Sequence, residues 1–380
     1  MSVGLREFQI FAKPVGALCN LNCRYCYYLK NNNLLTPGKK PLMDDRILEK
    51  YVVQHIQTSS GEVIMFSWHG GEPLMAGIEF FRRVTALQRK HWPDGRRIVN
   101  GIQTNGTLID EKWCRFLADE KFVVGISIDG PGNLHDMFRL HADGRPSFSK
   151  ALKGYRMLLR HGIVAEILCV VNAFNVREPL RVYRFLKDLG AGYITFLPLV
   201  ERCHDSETEV SEISVPAREF GEFLITVFDE WVEKDIGKIK VQIFEEAIRP
   251  AFGQEHTLCI FKETCGGVPV MEYNGNFYSC DHYVDSEHFI GNILSGSLSD
   301  FLDSPQQVAF GERKKLLLPD YCVECEVRAM CNGECPKNRF IKTPDGDEGL
   351  NYLCEGYKVF FRHSLPFVKA VRETWKNKCT

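Results

Sequence analysis

Cys19-Asn20-Leu21-Asn22-Cys23-Arg24-Tyr25-Cys26 is the stretch on which the reading of this chain turns. Three thiols fall within eight residues, directly after a short apolar run that reads as a strand. Thiolates at this spacing can wrap one corner of a cubane iron–sulfur cluster. A [4Fe–4S] cluster is normally held by four Cys, so three leave one iron open, and an open coordination position is what metal-centred catalysis needs. A zinc site that takes its fourth ligand from a distant Cys or His fits the same three residues, and spacing alone does not separate the two.

The rest of the composition narrows the context. With 380 residues, the chain has room for one large domain and a smaller one. The 47 basic and 49 acidic residues leave a net charge of −2, so nothing argues for a nucleic-acid or membrane partner. No apolar run approaches the roughly 20 residues of a membrane-spanning helix, and Met1 to Arg6 lacks the basic-then-apolar order of a signal peptide. The expectation is a cytoplasmic protein. In a reducing compartment its 15 cysteines are better explained as metal or Fe–S ligands than as disulfides. Beyond the opening three, eight lie between Cys259 and Cys354, while Cys114, Cys169, Cys203 and Cys379 stand apart.

Short apolar strands at 8–13, 63–68, 98–103, 123–128, 165–171 and 193–197 alternate with amphipathic helices at 44–57, 78–91, 110–120, 148–161, 176–189 and 216–234. Asp44 and Asp110 suit the positive helix starts they precede. Six such units imply an α/β fold with a parallel sheet and helices outside. A curved, partly closed barrel and a doubly wound sheet both satisfy this pattern. After about Phe244 the pattern changes: strands shorten, Gly and Cys become frequent, and no repeated helix is expected until a tail at 357–376. The boundary is drawn as 1–240 and 241–380. Polar loops are expected at 31–40 and 202–214.

Three further motifs follow predicted strands. Gly70-Gly71-Glu72-Pro73 sits just past the second, Gln103-Thr104-Asn105-Gly106 ends the third, and Ser127-Ile128-Asp129-Gly130-Pro131 ends the fourth. Active sites of parallel barrels are built at that end of the strands. Downstream, Cys322-x2-Cys325-x5-Cys331-x3-Cys335-Pro336 is similar to a ferredoxin run, whose last Cys serves a different cluster from the first three. With Cys259, Cys265, Cys280 and Cys354 there are eight thiols, enough for two four-iron clusters or for two four-thiolate zinc sites.

The Cx3CxΦC spacing, with Tyr25 as the aromatic residue, resembles the radical S-adenosylmethionine (SAM) superfamily. The resemblance implies a partial (β/α)6 barrel of the TIM type, which decides between the two sheet architectures. It implies that Cys19, Cys23 and Cys26 hold the cluster that cleaves S-adenosylmethionine. Gly70, Gly71 and Glu72 would bind the amino end of the methionine moiety, with Tyr25, Ser127, Arg139 and the backbone near Val200 as further contacts. The order CX9GX4C, then CX2CX5CX3C, then C resembles the SPASM domain of peptide-modifying radical enzymes. By that resemblance Cys259, Cys265, Cys280 and Cys335 hold a first auxiliary cluster and Cys322, Cys325, Cys331 and Cys354 a second, for three [4Fe–4S] clusters in all. Full Cys ligation of the auxiliary pair implies electron transfer.

Within that group, 102–108 (Ile-Gln-Thr-Asn-Gly-Thr-Leu), Ser279-Cys280-Asp281-His282, 331–339 (Cys-Asn-Gly-Glu-Cys-Pro-Lys-Asn-Arg) and Asn351-Tyr352-Leu353-Cys354 resemble the anaerobic sulfatase-maturating enzymes. These oxidise one Cys or Ser of a sulfatase polypeptide to Cα-formylglycine. A 5′-deoxyadenosyl radical takes a Cβ hydrogen, a base takes the thiol or hydroxyl proton, and the auxiliary clusters carry off an electron. Asp281 is the base that the resemblance implies, and its place directly after Cys280 agrees with it. The implied partners are the sulfatase polypeptide and an electron donor such as a flavodoxin or ferredoxin. Trp68-His69 departs from the Phe-Gln of some members. His69, His135 and His282 read as structural hydrogen-bonders, and Cys169 as buried packing. Two other readings stay in view: a SPASM enzyme acting on a different peptide, for instance making thioether crosslinks, and a zinc-stapled regulatory protein without catalysis.

Overall fold

The computed structural model describes residues 8–29, 41–203 and 209–379. The loop expected at 31–40 and the 204–208 part of the second loop lie outside the described residues. Ten strands concern the site: β1 (Phe11–Ala12), β2 (Val63–Trp68), β3 (Arg97–Thr104), β4 (Val123–Ser127), β5 (Glu166–Val171), β6 (Tyr193–Pro198), β7 (Lys240–Val241), β8 (Val270–Met271), β9 (Asn276–Tyr278) and β10 (Phe289–Asn292). Helices follow the first six strands close to the expected places. Asp44 accepts from the Ile47 N–H and Asp110 from the Trp113 N–H, so both caps form as the sequence indicates.

The chain divides into two compact units. The first comprises Met1–Ser127, Asp136–Ala165 and Gly266–Gly311. Its strands run in the order β10-β9-β8-β1-β2-β3-β4. β1 to β4 and β8 are parallel, and β9 and β10 return antiparallel. Phe11 of β1 faces Ser67 on one side and Val270 on the other. Backbone bonds from Gln9, Phe11 and Lys13 to Gly267, Pro269 and Met271 extend this pairing past the two strand residues. Parallel strands in register bring their C-terminal ends to one edge. Lys13, His69, Asn105 and Ser127 all leave the sheet there. Behind that edge Trp68 packs edge-to-face on Tyr51, Phe80 and Phe81, with centroids 5.7–5.8 Å apart. Its indole N–H donates to Asn100, which exchanges amide hydrogen bonds with Gln88, so this buried polar group is satisfied.

The second unit comprises Ile128–His135, Glu166–Cys265 and Glu312–Thr380. β5, β6 and β7 are parallel and adjacent. Helix Ala217–Lys234 lies against the long helix Cys354–Cys379, and Phe228 meets Phe244, Phe360 and Phe367 at 5.1–5.9 Å. The helices can approach so closely because Gly221 and Gly356 face each other. A Cβ on Gly356 would stand 1.9 Å from the Ala217 carbonyl oxygen, and one on Gly221 would stand 2.4 Å from that of Gly356.

Two expectations are corrected. The fifth-unit helix expected at 176–189 is an α-helix only over Pro179–Asp188. Pro179 occupies the first turn, where a missing N–H costs nothing, and Glu178 before it is pushed out of the helical region (φ −127°, ψ 50°). In the C-terminal third, helices Leu298–Asp303 and Pro305–Leu316 precede the tail, where none was expected. The second escapes a hydrophobic pattern because it is inverted: Gln307 and Lys314 are buried while Val308 and Leu316 are exposed.

Candidate active site

The loop 19–26 is seated by backbone pairing on one side and by side chains on the other. Asn22 and Arg24 donate to the Leu140 and Phe138 carbonyls. Arg139, between them, is buried with its guanidinium 5.4 Å from the centre of the Tyr25 ring. The Cys19 sulfur accepts from the Leu21 N–H, and the Asn105 amide lies 3.7 Å from it. Asn105 also donates to Asn20, which donates to Thr107, so the segment after β3 braces the cysteine loop. Ser127, the last residue of β4, accepts from Gln103. Burial, Glu72 and the neighbouring thiols push the Cys19 thiol up to about 12, and burial likewise raises Cys26. A cationic metal centre binds only the deprotonated form, so it would have to displace these protons.

Gly70 and Gly71 dock on the turn that leads into this loop. Gly71 and Glu72 donate to the Gly16 and Leu18 carbonyls at 2.8 and 2.9 Å. A Cβ on Gly71 would lie 2.1 Å from the Leu18 oxygen, and Gly70 has φ +128°. These glycines are therefore demanded by loop-on-loop approach. The Glu72 carboxylate is fully buried and takes three donors: the Thr104 hydroxyl and Leu74 N–H on Oε1, and the Asn105 N–H on Oε2. Burial raises its pKa to about 7 against the pull of those bonds. Glu72 thus ties the segment after β2 to the end of β3.

Asp281 stands in the same unit, after β9. Lys13 Nζ is 2.5 Å from its Oδ1, and the Tyr27 hydroxyl donates to Oδ2. Lys13 is only 2% exposed and also sits 4.1 Å over the Tyr28 ring, whose hydroxyl donates to the buried Glu272. Burial works against charge on Asp281, but Lys13, His282 and Tyr27 outweigh it and hold the carboxyl at about 2. Tyr27 turns its hydroxyl inward while 42% of the residue remains exposed. Neither motif nor spacing marks Lys13, Tyr27, Tyr28 or Glu272 as part of the site. The one available signal was a lysine ending an otherwise apolar strand. His69 stacks on Phe11 at 3.9 Å, with burial holding its imidazole neutral (about 3). Val200 belongs to the second unit, where it is buried just beyond β6.

In the second unit Cys322, Cys325, Cys331 and Cys354 line one cavity with Tyr321, Arg328 and Lys358. Burial and the thiols of Cys322 and Cys325 raise Cys354 to about 11. Cys259, Cys265 and Cys335 are in this unit as well, and Cys280 is in the first. Burial and Cys265 raise Cys259 to about 11. Among the described residues no three His, Cys, Asp or Glu side chains meet as a single-ion site requires, with thiolates about 2.3 Å from one zinc. The four thiols of the second set on one cavity match the four Cys that normally hold a [4Fe–4S] cluster.

Residues 14–186 match the radical SAM superfamily model, and residues 266–326 match SPASM, an iron–sulfur cluster-binding domain. Over 98% of its length the chain is 42% identical to the serine-type anaerobic sulfatase-maturating enzyme of Bacteroides thetaiotaomicron, covering 93% of that protein. The chain belongs to the anaerobic sulfatase-maturating enzyme family. It is 31% identical to the cysteine-type anaerobic sulfatase-maturating enzyme of Clostridium perfringens, over 94% of this chain and 96% of that one. The solved structure of native anSMEcpe with bound AdoMet and Kp18Cys peptide superposes with TM-score 0.88 at 30% identity, covering 97% of this chain and 100% of that one. This maturase-family chain is a radical SAM enzyme with the partial (β/α)6 barrel and a SPASM region. Its cofactors are S-adenosylmethionine, the [4Fe–4S] cluster that cleaves it, and additional SPASM Fe–S clusters. No described helix is long and apolar enough to cross a membrane.

Proposed function

We propose that this chain converts a Ser or Cys residue of a sulfatase polypeptide to Cα-formylglycine, with Asp281 accepting the hydroxyl or thiol proton. The observation that carries the assignment is the buried Asp281 carboxylate, fixed by Lys13 and Tyr27 in the unit that contains the Cys19–Cys26 loop. Family membership supports the reaction class. In this reading Cys19, Cys23 and Cys26 hold the first cluster. Cys259, Cys265, Cys280 and Cys335 hold one auxiliary cluster, and Cys322, Cys325, Cys331 and Cys354 the other. Tyr25, Gly70, Gly71, Glu72, Ser127, Arg139 and Val200 line the S-adenosylmethionine site. The cofactor-cleaving module is 1–240 and the cluster module 241–380.

Turning CH2OH into CHO removes one hydrogen atom, one proton and one electron. The thiol route passes through a thioaldehyde that water hydrolyses with loss of H2S. S-adenosylmethionine on its cluster supplies the hydrogen-atom abstraction at Cβ, and the protein excludes water and oxygen. Asp281 handles the proton. A carboxylate has about four lone-pair sites; Lys13 and Tyr27 use two, so others remain for a substrate O–H or S–H. Lys13 keeps the group oriented, which a general base needs before its basicity matters.

The test is anaerobic reconstitution followed by incubation with a sulfatase-derived peptide and mass measurement. A Ser peptide should lose about 2 Da and a Cys peptide about 18 Da, by atom balance of the oxidation. Asp281→Asn should still cleave S-adenosylmethionine yet make little formylglycine. Unchanged product formation would remove Asp281 from the mechanism.

A further inference from the structure

The loop Cys331–Cys335 joins a ligand of one proposed auxiliary cluster to a ligand of the other. Its three inner residues all have left-handed backbones: Asn332 at φ +46°, Gly333 at +69° and Glu334 at +52°. Non-glycine residues on both sides of a glycine in that region are costly and persist only where the surroundings over-determine them. Here one side chain grips the carbonyls of all three residues. The Arg339 guanidinium donates to the Gly333 carbonyl at 2.8 Å, to Asn332 at 2.9 Å and to Glu334 at 3.2 Å. Its remaining arm donates to the Lys314 carbonyl at 2.6 Å. Lys314, 1% exposed, in turn donates from Nζ to the Cys259 and Ile260 carbonyls at 3.0 and 2.7 Å. One guanidinium and one ammonium therefore connect the Cys259 loop to the Cys331–Cys335 loop.

Lys314 is buried and Arg339 half-buried, and no carboxylate forms an ion pair with either among the described residues. Burial lowers the pKa of Arg339, and the Cys322, Cys265 and Cys331 thiolates and Glu334 draw it back up. Lys314 responds to Cys265, Glu334 and Cys259 in the same sense. Lys314 thus sets its charge on the backbone of Cys259, from one proposed ligand set, and Arg339 sets its own on the loop that joins Cys331 of the other set to Cys335. An iron–sulfur potential is set by net charge, hydrogen bonding and exposure. A fixed positive charge stabilises the reduced form, which carries one more electron.

We propose that Arg339 and Lys314 are positioning residues that set the reduction potentials of both auxiliary clusters while fixing the loop that connects their ligands. This rests on the ligand assignment proposed above. An electron removed from substrate then meets two acceptors tuned by one shared pair of charges.

The experiment uses the full chain, reconstituted anaerobically, with iron content and EPR-monitored redox titration as readouts. Wild-type protein with about 12 irons, four per cluster, first establishes the assignment; about four irons would defeat that assignment independently of the charge argument. In Arg339→Gln the midpoints of both auxiliary clusters should move to more negative values, with that of the Cys19–Cys23–Cys26 cluster unchanged. Arg339→Lys, which keeps the charge, should restore them. Full iron with unmoved auxiliary midpoints in Arg339→Gln overturns the proposal, as does an equal shift of all three clusters. If Arg339→Gln fails to retain iron, Lys314→Gln and Lys314→Arg provide the same comparison. More negative auxiliary midpoints in Lys314→Gln alone support it, and identical midpoints in the two overturn it.

Discussion

Gly71→Ala tests the claim that the Gly70–Gly71 segment exists to let two loops touch. The added methyl would lie 2.1 Å from the Leu18 oxygen, 2.5 Å from its carbonyl carbon and 2.6 Å from the Ala17 oxygen. All three are backbone atoms, so no side chain can rotate away. Restoring ordinary contact means moving one loop by more than about 1 Å, given C–C optima of roughly 3.5–4.0 Å. That displacement breaks the bonds from Gly71 to Gly16 and from Glu72 to Leu18. Each lost bond costs about 1–3 kcal/mol if its groups stay unsatisfied, so the variant should lose roughly 2–6 kcal/mol. Leu18 directly precedes Cys19, and ligand distances tolerate only about ±0.2 Å. Denaturant unfolding of the cluster-free protein measures the first effect. Iron retained at the Cys19–Cys26 loop and the rate of S-adenosylmethionine cleavage measure the second. A Gly71→Ala protein within about 1 kcal/mol of wild type, with full iron and normal cleavage, would refute the reasoning.

Two pH-dependent predictions have opposite signs. Asp281 is held at about 2 in the fold, below the roughly 3.9 of a free Asp. Its contribution is present above the unfolded value and is lost as pH falls through the folded one. Lys13→Met should therefore destabilise the cluster-free protein by about 3–5 kcal/mol near neutrality, the cost of stranding one partner of a buried pair. The deficit should shrink as pH approaches 2, read by denaturant midpoints across pH. Glu72 is raised to about 7, so its contribution is full below its unfolded value and declines as pH rises through 7. Glu72→Gln sets an amide N–H₂ against the Asn105 N–H and should cost about 1–3 kcal/mol at pH 5, with the gap narrowing toward pH 8. A gap constant with pH would show that Glu72 does not titrate there.

The parts of the fold set by neighbours in sequence were legible in advance. Cys19, Cys23 and Cys26 share one loop, and β2 to β6 carry apolar runs bounded by turn residues. Asp44 and Asp110 cap helices through contacts three residues away. What was hidden depends on distant partners. Tyr28 meets Glu272 and Tyr27 meets Asp281 across separations of 244 and 254 residues. Lys13 reads as an ordinary strand end until Asp281 is placed opposite it. Helix Pro305–Leu316 was invisible to periodicity because it buries Lys314 to grip two carbonyls. Glu72 also takes three protein donors from Leu74, Thr104 and Asn105, a bracing role that only the folded loops disclose.

β1 contains two residues and is flanked by β2 on one side and β8 on the other. Its second partner, Val270–Met271, is synthesised about 260 residues later, a delay of roughly 13–50 s at the usual 5–20 residues per second. Over that interval Lys13 has no Asp281 to pair with, and the adjoining thiols lack the wall that the returning strands provide. The Cys19–Cys26 loop is thus among the first parts of the chain to be made and among the last to be enclosed. Its exposure to oxidants is set by the length of the polypeptide that must be translated before β8 arrives.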